Sequence, residues 1–193
     1  MKKEQIFKIL NYFLIAIMIL GATTLGINYF YYKAYIRILT TLTIIITIFI
    51  PIVLRNTLFR LSQKDKFIYY LFIFIAHFLG AIMNLYKRII YYDLFVHFIS
   101  GMVFFYISYL ILVKTNSHQY KNKLINFLYF LGVVSFSALV WEILEFSGDI
   151  LLNNNFQHSI DTGIIDTMGD MIAALFGGLI SYLIYLKSNK SNQ

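Results

Sequence analysis

The chain has 193 residues, of which 60% are hydrophobic and 13% charged, whereas soluble domains contain about 45–50% apolar and about 25% charged residues. This composition excludes an ordinary soluble domain and indicates a membrane protein. The formal net charge of +7 does not indicate a nucleic-acid-binding protein, because the basic residues flank apolar segments instead of forming one stripe. Absence of cysteine excludes disulfides and thiolate metal ligands.

Six apolar runs are each long enough to cover the roughly 20 residues that a membrane-spanning helix needs. We predict helices for all of them, since lipid offers no hydrogen-bond partner to open backbone. The predicted spans are 6–27, 35–54, 67–85, 94–113, 124–146 and 166–186. The expected fold is therefore all-α, a polytopic bundle of six transmembrane helices that forms one domain over residues 1–193.

The first run follows Met1, Lys2 and Lys3, a pattern that secretory signals share. The run is long, however, and the sequence around Gly21 and Ala22 is a poor cleavage site. We therefore expect the first helix to be retained.

The positions of lysine and arginine predict the orientation of the helices. If the N-terminus is cytoplasmic, twelve of the 16 basic residues lie in inner segments, and the outer segments hold Lys33, Arg37, Lys87 and Arg88. Both termini are therefore predicted to be cytoplasmic. The connection 147–165 has no basic residue and is predicted to lie outside.

The acidic residues cluster in one part of the chain. Seven of the nine fall between residues 93 and 170: Asp93, Glu142, Glu145, Asp149, Asp161, Asp166 and Asp170. The predicted topology brings the ends of the fourth, fifth and sixth helices to the outer face with their acids. Ionisable groups within or at the edge of membrane helices are costly and usually mark a functional site.

The fourth and sixth helices begin with similar patterns. Asp93 and His97 are four residues apart, as are Asp166 and Asp170, so each pair lies on one helix face. Asp93 and Asp166 have an alternative role as N-terminal caps. His97 and Asp170 lie about 6 Å deeper along the helix axis, where capping does not explain them.

Two more carboxylates, Glu142 and Glu145, lie three residues apart on one face of the fifth helix. They repel each other and need a cation or a shared proton. Glu142 is deeper in the apolar run and is the better functional candidate. Trp141 beside them is interpreted as an interfacial belt residue.

These residues together predict a divalent metal site, because the carboxylates cannot all be ionised in a dry pocket. The expected ligands are Asp93, His97, Glu142, Glu145, Asp166 and Asp170. Oxygen ligands with one imidazole suit Mg, Mn, Ca or Fe, and Zn less typically. His97 and Glu142 are the candidates for catalytic roles.

Five further polar residues are candidates for a lid or a supporting shell: His77, Asn84, Gln157, His158 and Asp161. The connection 147–165 either folds back over the acids as a lid or is an ordinary solvated loop. His77 and Asn84 lie on one face of the third helix, where a hydrogen-bonded helix contact is the alternative.

Several motifs resemble a known family. They are Tyr92-Asp93-x3-His97-Phe98-x2-Gly101, Glu142-x2-Glu145-Phe146, Gln157, and Ile165-Asp166-Thr167-x2-Asp170-Met171-x2-Ala174. This set resembles the YjdF-like bacterial inner-membrane proteins, a family of unknown function. More distantly, it is similar to VanZ-like proteins, which are associated with glycopeptide-antibiotic tolerance. The resemblance implies a multi-pass protein of the bacterial cytoplasmic membrane.

Three functions stay open. The first is a metal-dependent enzyme that hydrolyses or transfers a group of a lipid or lipid-linked substrate at the outer face. The second is a carrier coupled to protons or a metal, and the third is a non-catalytic envelope-stress or antibiotic-tolerance protein. The expected partners are the bilayer and a lipophilic substrate, and not nucleic acid.

Overall fold

A computed structural model describes residues 2–117, 122–157 and 162–190 of the chain. These ranges contain seven α-helices and no strand. They are α1 (Lys2–Tyr31), α2 (Tyr35–Val53), α3 (Gln63–Ile73), α4 (Leu85–Arg88), α5 (Tyr92–Lys114), α6 (Lys123–Leu152) and α7 (Ile164–Lys190). A 3-10 turn, Leu54–Asn56, follows α2, and a π-helix, Phe74–Ile82, continues α3.

Within the described ranges, six helical spans are long and apolar enough to cross a membrane. They are Lys2–Tyr31, Tyr35–Asn56, Gln63–Ile82, Tyr92–Lys114, Lys123–Leu152 and Ile164–Ser188. The predicted all-α membrane fold is thereby confirmed. Several spans end elsewhere than predicted. The fifth is longer, because α6 ends at Leu152 and not at residue 146, and the third ends at Ile82 and not at residue 85.

The chain divides into two compact units, Met1–Tyr92 and Asp93–Gln193. In the first unit, α1 packs against α2 and α3. Its core contains Met18, Ala22, Ile44 and Ile48, each almost completely buried. The start of α3 is fixed by a capping box, in which the side chains of Ser62 and Asp65 bond to each other's backbone N–H.

The π-helix of the first unit is a break in regular helical geometry. At its end, the Met83 N–H donates to the Phe78 carbonyl, five residues back, over 2.8 Å. Asn84 then takes a left-handed conformation, with φ of 65°, and ends the segment. His77 is partly buried inside this π-helix. Helices distorted in this way are frequently found at functional sites.

In the second unit, α6 packs against α7. The buried residues of α6 recur every four positions as Phe130, Val134, Ala138 and Glu142. The buried row of apolar residues on this face of α6 therefore ends at the Glu142 carboxylate. Aromatic rings pack at the other end of the row, where the rings of Phe105 and Phe130 are 4.7 Å apart.

Small residues let α5 and α7 approach closely. A Cβ atom added to Gly101 would collide with the backbone carbonyl of Ala174. A Cβ added to Gly177 would likewise collide with the backbone carbonyl of Phe98. The crossing involves residues 98–101 of α5 and 174–177 of α7. It begins within one helical turn of His97 and of Asp170, so it holds these two side chains near each other.

We expect Gly101→Ala to destabilise the protein by about 1–3 kcal/mol, because a methyl group cannot enter the crossing unless the helices separate. Thermal unfolding in detergent would measure the loss. Gly132→Ala is the matched control, since a Cβ there meets nothing within 4 Å. It should stabilise α6 by about 0.5–1 kcal/mol. Equal effects of the two changes would contradict the close crossing.

The predicted orientation can be tested directly with reporter fusions. A fusion after Asn116 should report a cytoplasmic location, because the neighbouring segment carries Lys114 and Lys123. A fusion after Asn154 should report an outer location, because the segment between α6 and α7 has no basic residue. The opposite pair of results would overturn the topology.

Candidate metal centre

The site begins at the first two turns of α5. Asp93 and His97 are four residues apart and therefore face the same side of the helix. The His97 Nε2 atom lies 3.5 Å from the Asp93 Oδ1 atom. His97 is buried, with 5% of its surface exposed, and Asp93 is partly buried.

Asp170 of α7 completes the group. Its Oδ2 atom lies 3.9 Å from the His97 Nε2 atom, and only 2% of the residue is exposed. One ligand atom from each of Asp93, His97 and Asp170 falls within 4.8 Å of the others. Two carboxylates and an imidazole from two helices thus converge on one point.

The spacing of these atoms fits a divalent cation. Metal–ligand bonds of about 2.0–2.2 Å place neighbouring ligand atoms about 3 to 4 Å apart. The distances of 3.5 Å and 3.9 Å from the His97 nitrogen already lie in this range. Because all three atoms lie within 4.8 Å of one another, one ion could contact all of them. Three protein ligands also leave positions for water or substrate, as catalytic metal sites require.

Glu142 of α6 is the most unusual residue of the site. It is 5% exposed, and neither of its carboxylate oxygens has a hydrogen-bond partner among the described residues. Its charge interacts with those of Asp93 and Asp166, so it faces the same cluster. A buried carboxylate without a partner costs several kcal/mol of stability unless a cation or a proton compensates it.

Two polar side chains, those of Thr167 and Gln157, lie close enough to the Glu142 carboxylate to stabilise its charge, although neither makes a hydrogen bond of normal geometry to it. The Gln157 Nε2 atom is 3.5 Å from the Glu142 backbone carbonyl oxygen and 3.4 Å from the Thr167 Oγ1 atom. Gln157 therefore connects α6 to the first turn of α7.

Glu145 and Asp166 lie near this group of three residues but are not part of it. Glu145 accepts a 2.8 Å hydrogen bond from the Trp141 indole N–H, so Trp141 has a polar contact besides its predicted belt position. The Glu145 charge also interacts with Asp93, Glu142 and Asp170. Asp166 is partly buried in the first turn of α7. Both carboxylates add negative potential around the three ligand atoms.

None of the other four candidates belongs to the described part of the second unit. His77 lies in the π-helix of the first unit, and Asn84 precedes α4 in the same unit. His158 and Asp161 lie outside the described residues. The lid hypothesis for these two residues therefore stays a prediction.

Two residues near the site had not been assigned a role from the sequence. Thr167 is three residues before Asp170, so the spacing on α7 was the available signal. The sequence predicts a loop at Asp149, whereas this residue lies in the last turn of α6. Its carboxylate accepts backbone hydrogen bonds from Phe156 and Gln157.

Residues 10–191 match the family described as predicted membrane protein (DUF2238). The chain belongs to this family. The matched segment contains all six membrane-capable helical cores and the whole acidic cluster. The DUF2238 assignment agrees with the composition and helix lengths in identifying a membrane protein.

A protein of Thermotoga maritima, described as an uncharacterized protein, is 31% identical to this DUF2238 chain over 122 residues. The alignment covers 61% of this chain and 59% of the relative, so the chain spans about three fifths of that protein's length. No solved structure matches the chain.

Proposed function

We propose that this DUF2238 protein binds a divalent metal through Asp93, His97 and Asp170 and uses it in hydrolysis or group transfer. The observation that carries the proposal is the convergence of the three ligand atoms within 4.8 Å. The buried carboxylate of Glu142 beside them supports the proposal, because its negative charge requires a cation or a proton to compensate it.

The metal would polarise a phosphoryl or carbonyl oxygen of the substrate. Because the His97 Nε2 atom faces both carboxylates, we assign His97 to binding and Glu142 to proton transfer. Glu142 takes a proton from the attacking water, whose oxygen forms a bond to phosphorus or to the carbonyl carbon. The bond to the leaving oxygen breaks, and Glu142 returns the proton to that oxygen.

Apolar residues around this end of the second unit support a lipid or lipid-linked substrate. Exposed side chains flank the site at the end of α6 and the start of α7: Ile150 (65% exposed), Leu151 (80%), Ile164 (72%) and Ile165 (75%). Such a surface is stable in contact with the acyl region of a bilayer and not in water. A substrate that approaches through it has to be amphipathic.

Turnover by purified protein tests this function. Detergent-solubilised protein supplied with Mn²⁺ should release headgroup or phosphate from phospholipids or polyprenyl phosphates. Asp170→Asn should abolish turnover together with metal binding. Glu142→Gln should keep the metal and lower the turnover rate by about 10²–10⁴-fold, the usual contribution of a general acid or base. Equal turnover by the wild type and Asp170→Asn would contradict the proposal.

A carrier coupled to protons or a metal is the second candidate, and the π-helix Phe74–Ile82 favours it. Interrupted membrane helices with polar groups are common in carriers, and His77 lies within this interruption. Ion flux into proteoliposomes, with lipid turnover measured in parallel, separates the two functions. Flux that is lost in His77→Ala and occurs without turnover would favour the carrier.

The third candidate is a non-catalytic role in envelope stress or antibiotic tolerance. It corresponds to the VanZ-like resemblance of the motifs around Asp93, Glu142 and Asp170. Absence of both lipid turnover and ion flux would favour it.

A further inference from the structure

The chain turns back towards α6 directly after the helix ends at Leu152. Asn153 caps the helix in a left-handed conformation, with φ of 49°, and its N–H donates to the Asp149 carbonyl. The following residues, 153–157, run back beside the last turn of α6, and we call this segment the strap. Gly148 makes room for it, since a Cβ there would lie 2.9 Å from the Phe156 ring.

The Asp149 carboxylate anchors the far end of the strap. Its Oδ1 atom accepts a hydrogen bond from the Phe156 N–H, and its Oδ2 atom accepts one from the Gln157 N–H over 3.0 Å. Both oxygens of one carboxylate are thus used on consecutive backbone amides. Hydrogen bonds to an ionised acceptor are stronger than those between neutral groups.

This anchor determines where the Gln157 side chain lies. With its backbone held by Asp149, Gln157 reaches between the Glu142 carbonyl and the Thr167 hydroxyl. Its amide therefore lies across the gap between α6 and α7, beside the buried Glu142 carboxylate. Thr167 is one turn before Asp170 on the same helix.

We propose that the strap restricts access to the Glu142 end of the site and that Asp149 is the positioning residue that keeps the strap closed. The proposal rests on the proposed function for the identity of what enters, a divalent cation and then a lipid substrate. Asp149 does not touch them; it acts through Gln157.

The absence of native cysteine allows a direct test of access. In full-length protein, Glu142→Cys introduces a single thiol under the strap, and a charged, water-soluble thiosulfonate measures how fast it is reached. We expect Asp149→Ala to raise this rate at least about tenfold, because two charge-assisted hydrogen bonds that oppose local opening are lost. Asp149→Asn keeps one oxygen acceptor and should give an intermediate rate.

Ser147→Ala is the matched control in the same stretch, since the Ser147 hydroxyl bonds to the Ile143 carbonyl of its own helix. It should leave the labelling rate unchanged. The melting temperature of each variant separates strap opening from general unfolding: the proposal expects faster labelling without a matching loss of melting temperature. An unchanged labelling rate in Asp149→Ala, or a rate that only follows melting temperature across the variants, would overturn the strap.

A second measurement uses Mn²⁺ exchange with Glu142 intact. Asp149→Ala should speed both binding and release of Mn²⁺, with a smaller change in Kd, whereas Asp170→Asn should abolish binding. If Asp149→Ala is labelled faster but the wild type binds no Mn²⁺, the strap proposal stands and the metal proposal fails. If Asp149→Ala binds Mn²⁺ normally and its labelling and exchange rates are unchanged, the metal proposal stands and the strap proposal fails.

Discussion

We expect chelation of divalent metal to lower the melting temperature of the wild-type protein, and His97→Ala or Asp170→Asn to remove this response. A ligand that binds only the folded state stabilises it by about 2.7 kcal/mol when its free concentration is 100 times its Kd. For a chain of this length that corresponds to about 5 to 10 °C. Differential scanning fluorimetry in detergent, with and without chelator, is the measurement.

The physical reason lies in the charges of the second unit. The carboxylates of Asp93 and Asp170 converge on the His97 ring, and Glu142 and Asp166 add repulsion. In the proposed site, a bound cation would offset that repulsion and join α5 to α7. Removing one ligand should therefore remove most of the metal's stabilising effect.

Glu4→Gln is the control for this experiment, because Glu4 is exposed near the start of α1, away from the acidic cluster in sequence. Asp65 is a poorer control, although it also lies outside the cluster, because its carboxylate belongs to the capping box of α3. A wild-type melting temperature that ignores chelator and added Mn²⁺, Mg²⁺ or Zn²⁺ would contradict the prediction.

The second large effect is expected at Glu142, the residue that we propose transfers protons, because its buried carboxylate should reduce stability. In metal-free protein, Glu142→Gln should raise the free energy of unfolding by about 1–3 kcal/mol, because an amide loses less on burial than an unpartnered carboxylate. The same change should lower turnover. Chemical or thermal unfolding of the metal-free variant would measure the gain.

Glu145→Gln is the matched comparison, one helical turn away. Glu145 already accepts a hydrogen bond from Trp141 and is less buried than Glu142. Its substitution should therefore give a smaller gain in stability or none. If Glu142→Gln were as unstable as a core-disrupting variant, the carboxylate would have to be a structural group and not a functional one.

The helices were predictable from the sequence because length and apolarity decide them in a membrane protein. The ends were less predictable. Gly148 and Asp149 looked like the beginning of a loop, yet α6 continues to Leu152. Hydrogen bonds from Phe156 and Gln157 to Asp149 hold this last turn, and such a return of the chain leaves no periodic signal in the sequence.

The residues that meet in the site were also within reach of sequence reasoning, since the i, i+4 spacing of Asp93 with His97 already gave a shared face. The sequence did not distinguish the three converging ligand atoms from the surrounding carboxylates. That distinction depends on the crossing of α5 and α7 at Gly101 and Gly177, which sets the distance between His97 and Asp170.

Metal analysis of protein purified from membranes tests the central proposal most directly. Wild-type protein and Glu4→Gln should each carry about one equivalent of a divalent metal per chain, as expected for one site with three protein ligands. Asp170→Asn should carry none. Absence of metal from the wild type after incubation with Mn²⁺, Mg²⁺ or Zn²⁺, or equal metal in wild type and Asp170→Asn, would contradict the account. The cluster would then be a set of partly protonated carboxyls, and a proton-coupled carrier would explain it better.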